Sequence, residues 1–229
     1  MSFWSDLLNL LGKNKYLGVY PALVVGIEDP DQLGRVQVSL PALGEGTQPV
    51  WARIATLMAG SQRGAWFIPE VDDEVLVAFE GGDPRHPYML GALWNAENPP
   101  PEQMDSGGHN PVKSIHSRDG ILISMYDLTD EDALVLKTPG GGSLVLQDGK
   151  GGSVEIKDAN GNQILLSPQG VQVVSAAKVT VNASTIELSA GSVTVNAGMS
   201  TFSGVVKVDS LIANSVISAS YSPGAGNVW

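Results

Sequence analysis

Cysteine is missing from the sequence altogether, so no disulfide supports the fold and a thiolate zinc site is excluded. Cations are scarce: 13 Lys and Arg stand against 24 Asp and Glu, a formal net charge of -11. The deficit is even, 6 against 12 in residues 1–100 and 7 against 12 in residues 101–229. Affinity for nucleic acid rests on clustered cations, so no nucleic-acid partner is expected. No segment approaches the length of about 18 consecutive apolar residues that marks a membrane-spanning helix. The first residues lack the basic start and apolar stretch of a signal peptide, and the chain is expected to be made in the producer's cytoplasm and kept soluble until other machinery moves it. Aromatic residues are few in the second half, which is dominated by Ser, Thr, Asn, Gly, Val and Ala; four of the five Trp and three of the four Phe precede residue 100. An aromatic-rich core is therefore expected only in the front, and the chain is expected to hold two domains.

What the second half does have is a repeat. Triplets of β type, Leu134-Val135-Leu136, Leu144-Val145-Leu146, Val154-Glu155-Ile156 and Ile164-Leu165-Leu166, begin ten residues apart, with Gly, Pro, Asn and Asp between them. The spacing then tightens to mostly seven or eight through Val171-Gln172-Val173, Val179-Thr180-Val181, Ile186-Glu187-Leu188, Val193-Thr194-Val195 and Val206-Lys207-Val208. In a strand the outer two residues of a triplet share one face and the middle one takes the other. The middles Thr180, Glu187, Thr194 and Lys207 are polar, which gives each strand one dry and one wet face. A unit this thin cannot bury its dry face alone and needs copies beside it. Three identical chains wound about one axis would turn every dry face inward, with glycines at 140–142, 151, 152, 161, 170 and 191 at the corners. A single-chain solenoid is the alternative, although its rungs usually run longer.

The front half reads as short strands with sharp turns: 22–27, 34–40, 50–55, 74–79 and 88–94, with Val36 and Val38 sharing a face of the second. Five such strands suggest a small barrel. The run Gly34-Arg35-Val36-Gln37-Val38, then Pro41, Trp51-Ala52-Arg53-Ile54-Ala55, Gly64, Phe67-Ile68-Pro69-Glu70-Val71, Asp73-Glu74-Val75-Leu76-Val77-Ala78-Phe79, Gly82-Asp83-Pro84, Pro87-Tyr88 and Gly91 resembles the OB-fold domain of phage baseplate spike proteins. The same domain occurs in the valine-glycine-repeat spikes of type VI secretion. The resemblance implies an all-β chain, an N-terminal OB-fold barrel followed by an intertwined trimeric triple-stranded β-helix. The expected division is a docking helix over 1–17, the barrel over 18–98, a linker over 99–120, the needle over 121–218 and a tail over 219–229. It further implies a homotrimeric central spike of a phage tail, tailocin or injection machine, part of a virion or extracellular particle, that pierces the target envelope on sheath contraction. A trimeric tail-fibre-like β-helix that binds a cell-surface glycan is the alternative.

Partners follow from the same resemblance. Phe3, Trp4, Leu7, Leu8 and Leu11 lie at helical spacing; their stripe either packs on its own domain or docks on a neighbouring subunit, with a trimeric baseplate hub protein as the expected partner. Some relatives carry a lysozyme domain between barrel and needle, but the Pro-rich linker is too short to hold one. Others bind iron at the tip through a His-x-His pair. Here His86, His109 and His116 form no such pair, so a separate conical, PAAR-like tip protein is expected on Val216, Ile217, Tyr221, Val228 and Trp229, the alternative being that 221–229 is simply a flexible tail. No cofactor and no catalytic residue is expected. Asp72-Asp73-Glu74 reads as a turn before a strand, and Asp127, Asp130, Glu131 and Asp132 lack calcium-loop spacing. Ser117 and Ser124 lie near His116 and Asp119 without a nucleophile-elbow Gly-x-Ser-x-Gly, and Gly140-Gly141-Gly142 lacks the lysine and hydroxyl of a phosphate loop.

Overall fold

The computed structural model describes residues 15–44 and 48–220. All its regular structure is β, apart from single 3-10 turns at Pro41–Leu43 and Glu80–Gly82. By contacts the chain divides into two units, Met1–Ala177 and Lys178–Trp229.

The first unit opens with a closed barrel of β1 (Val19–Gly26), β2 (Arg35–Ser39), β3 (Val50–Ile54), β6 (Glu74–Phe79) and β7 (Pro87–Leu93), in the order β1-β2-β3-β7-β6. A two-stranded ribbon, β4 (Ala59–Gly60) with β5 (Arg63–Gly64), sits between β3 and β6 in sequence. Alternation decides which way each strand faces. Val36 and Val38 point inward and are fully buried, as are Val75 and Val77 on β6 and Val24 on β1. Ala22, Leu40, Ala52, Phe79 and Met89 complete this core. The β3–β7 pair is parallel and the other barrel pairs are antiparallel. At one end Tyr16, Tyr20 and Phe79 form an aromatic cluster with ring centroids 5.6–6.0 Å apart.

Behind the barrel, seven strands form one antiparallel meander: β8 (Val112–His116), β9 (Leu122–Tyr126), β10 (Ala133–Lys137), β11 (Ser143–Gln147), β12 (Ser153–Lys157), β13 (Gln163–Ser167) and β14 (Gly170–Val174). The ten-residue period is five residues of strand plus a five-residue reversal at 138–142, 148–152 and 158–162. Gly141, Gly149, Gly151, Gly152 and Gly161 take positive φ at these reversals, and Gly170 does so at the start of β14. The turn at 158–162 is held by the Asp158 carboxylate, which accepts hydrogen bonds from the backbone N–H of Asn160 (2.8 Å) and Asn162 (2.9 Å) and from the Asn162 side-chain amide (2.7 Å). These bonds to the charged form hold its pKa at about 2, below the ordinary 3.8.

Two expectations change here. Between residues 112 and 174 the strands pair within one chain, where chain-to-chain pairing was expected, because glycine-rich reversals bring consecutive strands side by side. The first strand of the meander, β8, also lies inside the segment expected to be linker. Arg118 ties this region to the barrel through Glu70, at 2.9 Å.

The second unit is different in kind. Residues 178–220 contain no strand and no ladder pairing among the described residues. Beyond Gly170 no described residue has positive φ, Gly191 included, so the tight reversals stop where the sequence period shortens.

Candidate functional site

The meander has two unlike faces. On one, the outer residues of each triplet meet their counterparts across every ladder. Ile115 faces Ile123, and Met125 and Ile123 face Leu134 and Leu136. Leu136 and Leu134 then face Leu144 and Leu146, which face Ile156 and Val154. Ile156 and Val154 face Ile164 and Leu166, and these face Val173 and Val171. The result is a double row of apolar side chains across the six strands β9 to β14, continued by Ile115 alone on β8, where Lys113 faces Met125; the seven strands make a face about 30 Å tall at the usual strand spacing. Among the described residues it is left largely open: Ile156 is 44% exposed, Ile164 40% and Val171 71%.

The opposite face carries Ser114, Ser124, Val135, Val145, Glu155, Leu165 and Gln172 in register. It is mixed in character and partly covered. Ser124 is fully buried and Val135 nearly so, and Glu102 accepts a hydrogen bond from the Ser114 hydroxyl (3.1 Å) and contacts His116 (3.1 Å). The sheet thus hides its mixed face and bares its apolar one, the reverse of a soluble monomer's habit.

Within the second unit, considered alone, the triplets keep the same alternation without partners. Val179 and Val181, Ile186 and Leu188, and Val193 and Val195 are 57–73% exposed. Backbone without ladder partners that carries bare apolar side chains is stable only when other strands complete it.

The remaining sequence-derived residues take structural places. Asp73 accepts the Glu70 N–H (2.8 Å) and Glu74 the Asn95 side-chain amide (2.7 Å), so this cluster builds the turn into β6. Asp127 pairs with Lys113. His109 contacts Asp105 (2.8 Å) and His86 lies 3.6 Å from Asp83. Among the described residues no three His, Asp or Glu converge as a metal ion would require. Of the expected tip-docking residues, Val216 is 63% and Ile217 99% exposed, while Tyr221, Val228 and Trp229 lie outside the described residues. The expected hub-docking residues Phe3, Trp4, Leu7, Leu8 and Leu11 also lie outside them.

Comparison with known proteins meets this geometry at both halves. Residues 20–94, the closed barrel, match the type VI secretion system/phage-baseplate injector OB domain. Residues 133–201, which run from β10 into the unpaired triplets, match the phage baseplate V C-terminal trimerisation domain. The chain belongs to the phage baseplate V family. Its relatives include the type VI secretion system spike protein VgrG1a of Pseudomonas aeruginosa, 30% identical over 50% of this chain and 19% of that protein. The type VI spike protein VgrG3 of Vibrio cholerae is 39% identical over 31% of this chain and 7% of its own length. The actin cross-linking toxin VgrG1 of Vibrio cholerae is 38% identical over 35% of this chain and 8% of its own. The chain thus spans less than a fifth of the length of these curated relatives. In this baseplate V protein the apolar ladder from β10 to β14 lies within the trimerisation domain, and β8 and β9 precede it.

Proposed function

We propose that the protein is the structural central spike of a contractile tail or injection machine, acting as a homotrimer. Three copies set their apolar ladders against one another around an axis, and the strands of residues 178–220 from each copy complete the others' pairing. One observation supports this reading: a row of matched apolar side chains, bare among the described residues, whose strands from β10 to β14 lie in the trimerisation domain. Such a prism is stiff, because each backbone ladder is closed by a neighbour, and its outer face is polar enough to stay in water until force drives it through an envelope. Its work is mechanical. Sheath contraction supplies the energy, and no residue of this chain makes or breaks a bond.

On this reading the N-terminal segment with Phe3, Trp4, Leu7, Leu8 and Leu11 docks the trimer on a baseplate hub. The C-terminal end, with Val216, Ile217, Tyr221, Val228 and Trp229, seats a separate conical tip protein. The spike is assembled in the producer cell and leaves as part of the particle. Gold labels on residues 18–98, imaged on particles from producing cells, should sit at the leading end of the tube. Labels distributed along fibres, or free trimers retained by cell-surface glycan, would contradict the proposal.

A further inference from the structure

The barrel holds a second feature that trimerisation does not absorb. Residues 18–98 contain 11 carboxylates, no lysine and only four arginines, Arg35, Arg53, Arg63 and Arg85. All four line two adjoining depressions of about 580 and 710 Å³, which share Leu33, Gly34, Ile54 and Ala59. Asp29, Asp31, Asp83 and Glu80 stand among them, so the gathering balances charge and leaves Arg53 and Arg63 as its cations outside any ion pair among the described residues.

The strand register builds it. Arg35 faces Arg53 across β2 and β3, and Arg53 faces Tyr88 across the parallel β3–β7 pair, so the three side chains stand in a row. The Arg53 guanidinium lies 5.5 Å from the Tyr88 ring centroid and that of Arg35 lies 5.6 Å from Trp51. Two of the arginines are already engaged: Arg35 with Asp29 and Asp31, each at 2.6 Å, and Arg85 with Asp83 at 2.6 Å. Arg53 and Arg63 have no carboxylate partner among the described residues. Stacking on Tyr88 steadies Arg53 while leaving its donors free. Beside it the second depression, which Arg63 lines, has an apolar wall in which Met58, Phe67 and Trp66 are 53%, 67% and 75% exposed.

We propose that this side of the barrel binds an extended peptide segment of a partner protein that carries carboxylates next to a large apolar side chain. One carboxylate forks onto Arg53, a second meets Arg63, and the apolar side chain seats against Trp66 and Phe67. Arginine in place of lysine suits this occupant, because the planar guanidinium matches a carboxylate with two parallel hydrogen bonds. The same surface already shows the chemistry internally in the Arg35–Asp29 pair. A nucleic-acid strand fits poorly: two free cations neutralise too few phosphates, and the surrounding carboxylates repel the rest. The inference stands on the barrel alone and does not depend on the spike reading.

The test uses the full-length protein and three labelled probes: a short peptide alternating Asp with Leu and Phe, its Asn-for-Asp counterpart, and an oligothymidine. Fluorescence anisotropy should show the acidic peptide bound, weakened by salt, and bound at least roughly tenfold more tightly than the Asn version. Arg53→Gln and Arg63→Gln should each weaken it by roughly tenfold, and Arg53→Lys should recover only part of the loss, since the charge returns without the fork. Arg53 and Arg63 are exposed, and circular dichroism of each variant should match the parent. Equal affinity for the Asp and Asn peptides, or preference for oligothymidine, would overturn the proposal. So would loss of the trimer in the Arg53→Gln/Arg63→Gln double variant, which would mean that a second copy of this chain already occupies the face.

Discussion

Consider replacing Ile164 or its neighbour Leu165 by glutamine. Ile164 belongs to the apolar ladder, facing Ile156 and Val173, and is 40% exposed in the single chain. Leu165 faces Glu155 and Gln172 on the other side of the sheet and is the less exposed of the two. Reasoning from the isolated chain makes Leu165 the more sensitive position. A trimer built on the ladder reverses the order. Full burial of an isoleucine stabilises by about 1.5–3 kcal/mol, of which two-fifths, about 0.6–1.2 kcal/mol, is still to be gained on assembly. Glutamine forgoes that gain and places an unpaired amide in a dry interior, which costs about 1–3 kcal/mol more. Together this is about 2–4 kcal/mol per chain, or about 6–12 kcal/mol per trimer, and it lowers the assembly constant by a factor of about 10⁴ or more. Leu165→Gln adds an amide to a face that already carries Gln163, Gln172 and Glu155 and leaves the interface intact. Sedimentation of both variants over a dilution series should therefore show Ile164→Gln dissociating where Leu165→Gln stays assembled. Equal behaviour, or dissociation of Leu165→Gln alone, would refute the assignment of the interface to this face.

Three other outcomes follow from the geometry. Gly149 has φ +93°, and a Cβ there would lie 2.2 Å from the Asp130 carbonyl oxygen, so Gly149→Ala should destabilise the meander by on the order of 3 kcal/mol in denaturant titration; an unchanged midpoint would contradict the turn geometry. Because the Asp158 carboxyl is held at about 2 against an ordinary 3.8, its stabilisation is fully present above pH 4 and is lost as pH falls through about 2. The melting temperature of the wild type relative to Asp158→Asn should accordingly shrink across that window, and a pH-independent difference would argue against the turn. Hydrogen exchange should find the amides of Val179–Val181, Ile186–Leu188 and Val193–Val195 protected in the assembled protein, although they have no ladder partner in their own chain; exchange at the rate of an unstructured peptide would contradict interchain pairing.

Much of this was legible in the residues themselves. Strict alternation made the β2 and β6 strands readable to within a residue or two, and Val36 and Val38 fall where alternation puts them. The triplets likewise announced a dry face, and the shortened period begins at Val171-Gln172-Val173 in β14, the last strand to pair within the chain among the described residues. What could not be read had weak local signals. In β8 the two apolar residues, Val112 and Ile115, are three apart and point to opposite faces, so that strand is held by pairing with β9 and not by its own pattern. That consecutive strands of the meander pair within one chain depended on the glycine reversals, which composition alone leaves compatible with corners of an intertwined helix. The arginine surface is assembled from residues 35, 53, 63 and 85, and only the β2–β3–β7 register brings Arg35 and Arg53 into line with Tyr88.

The central claim is that one chain supplies a third of a shared interior, and the solution mass of the intact protein tests it most directly. One chain weighs 24.0 kDa. At micromolar concentration the account requires a single species of three times that mass that survives dilution, and a monomer with its apolar ladder open to water would contradict it.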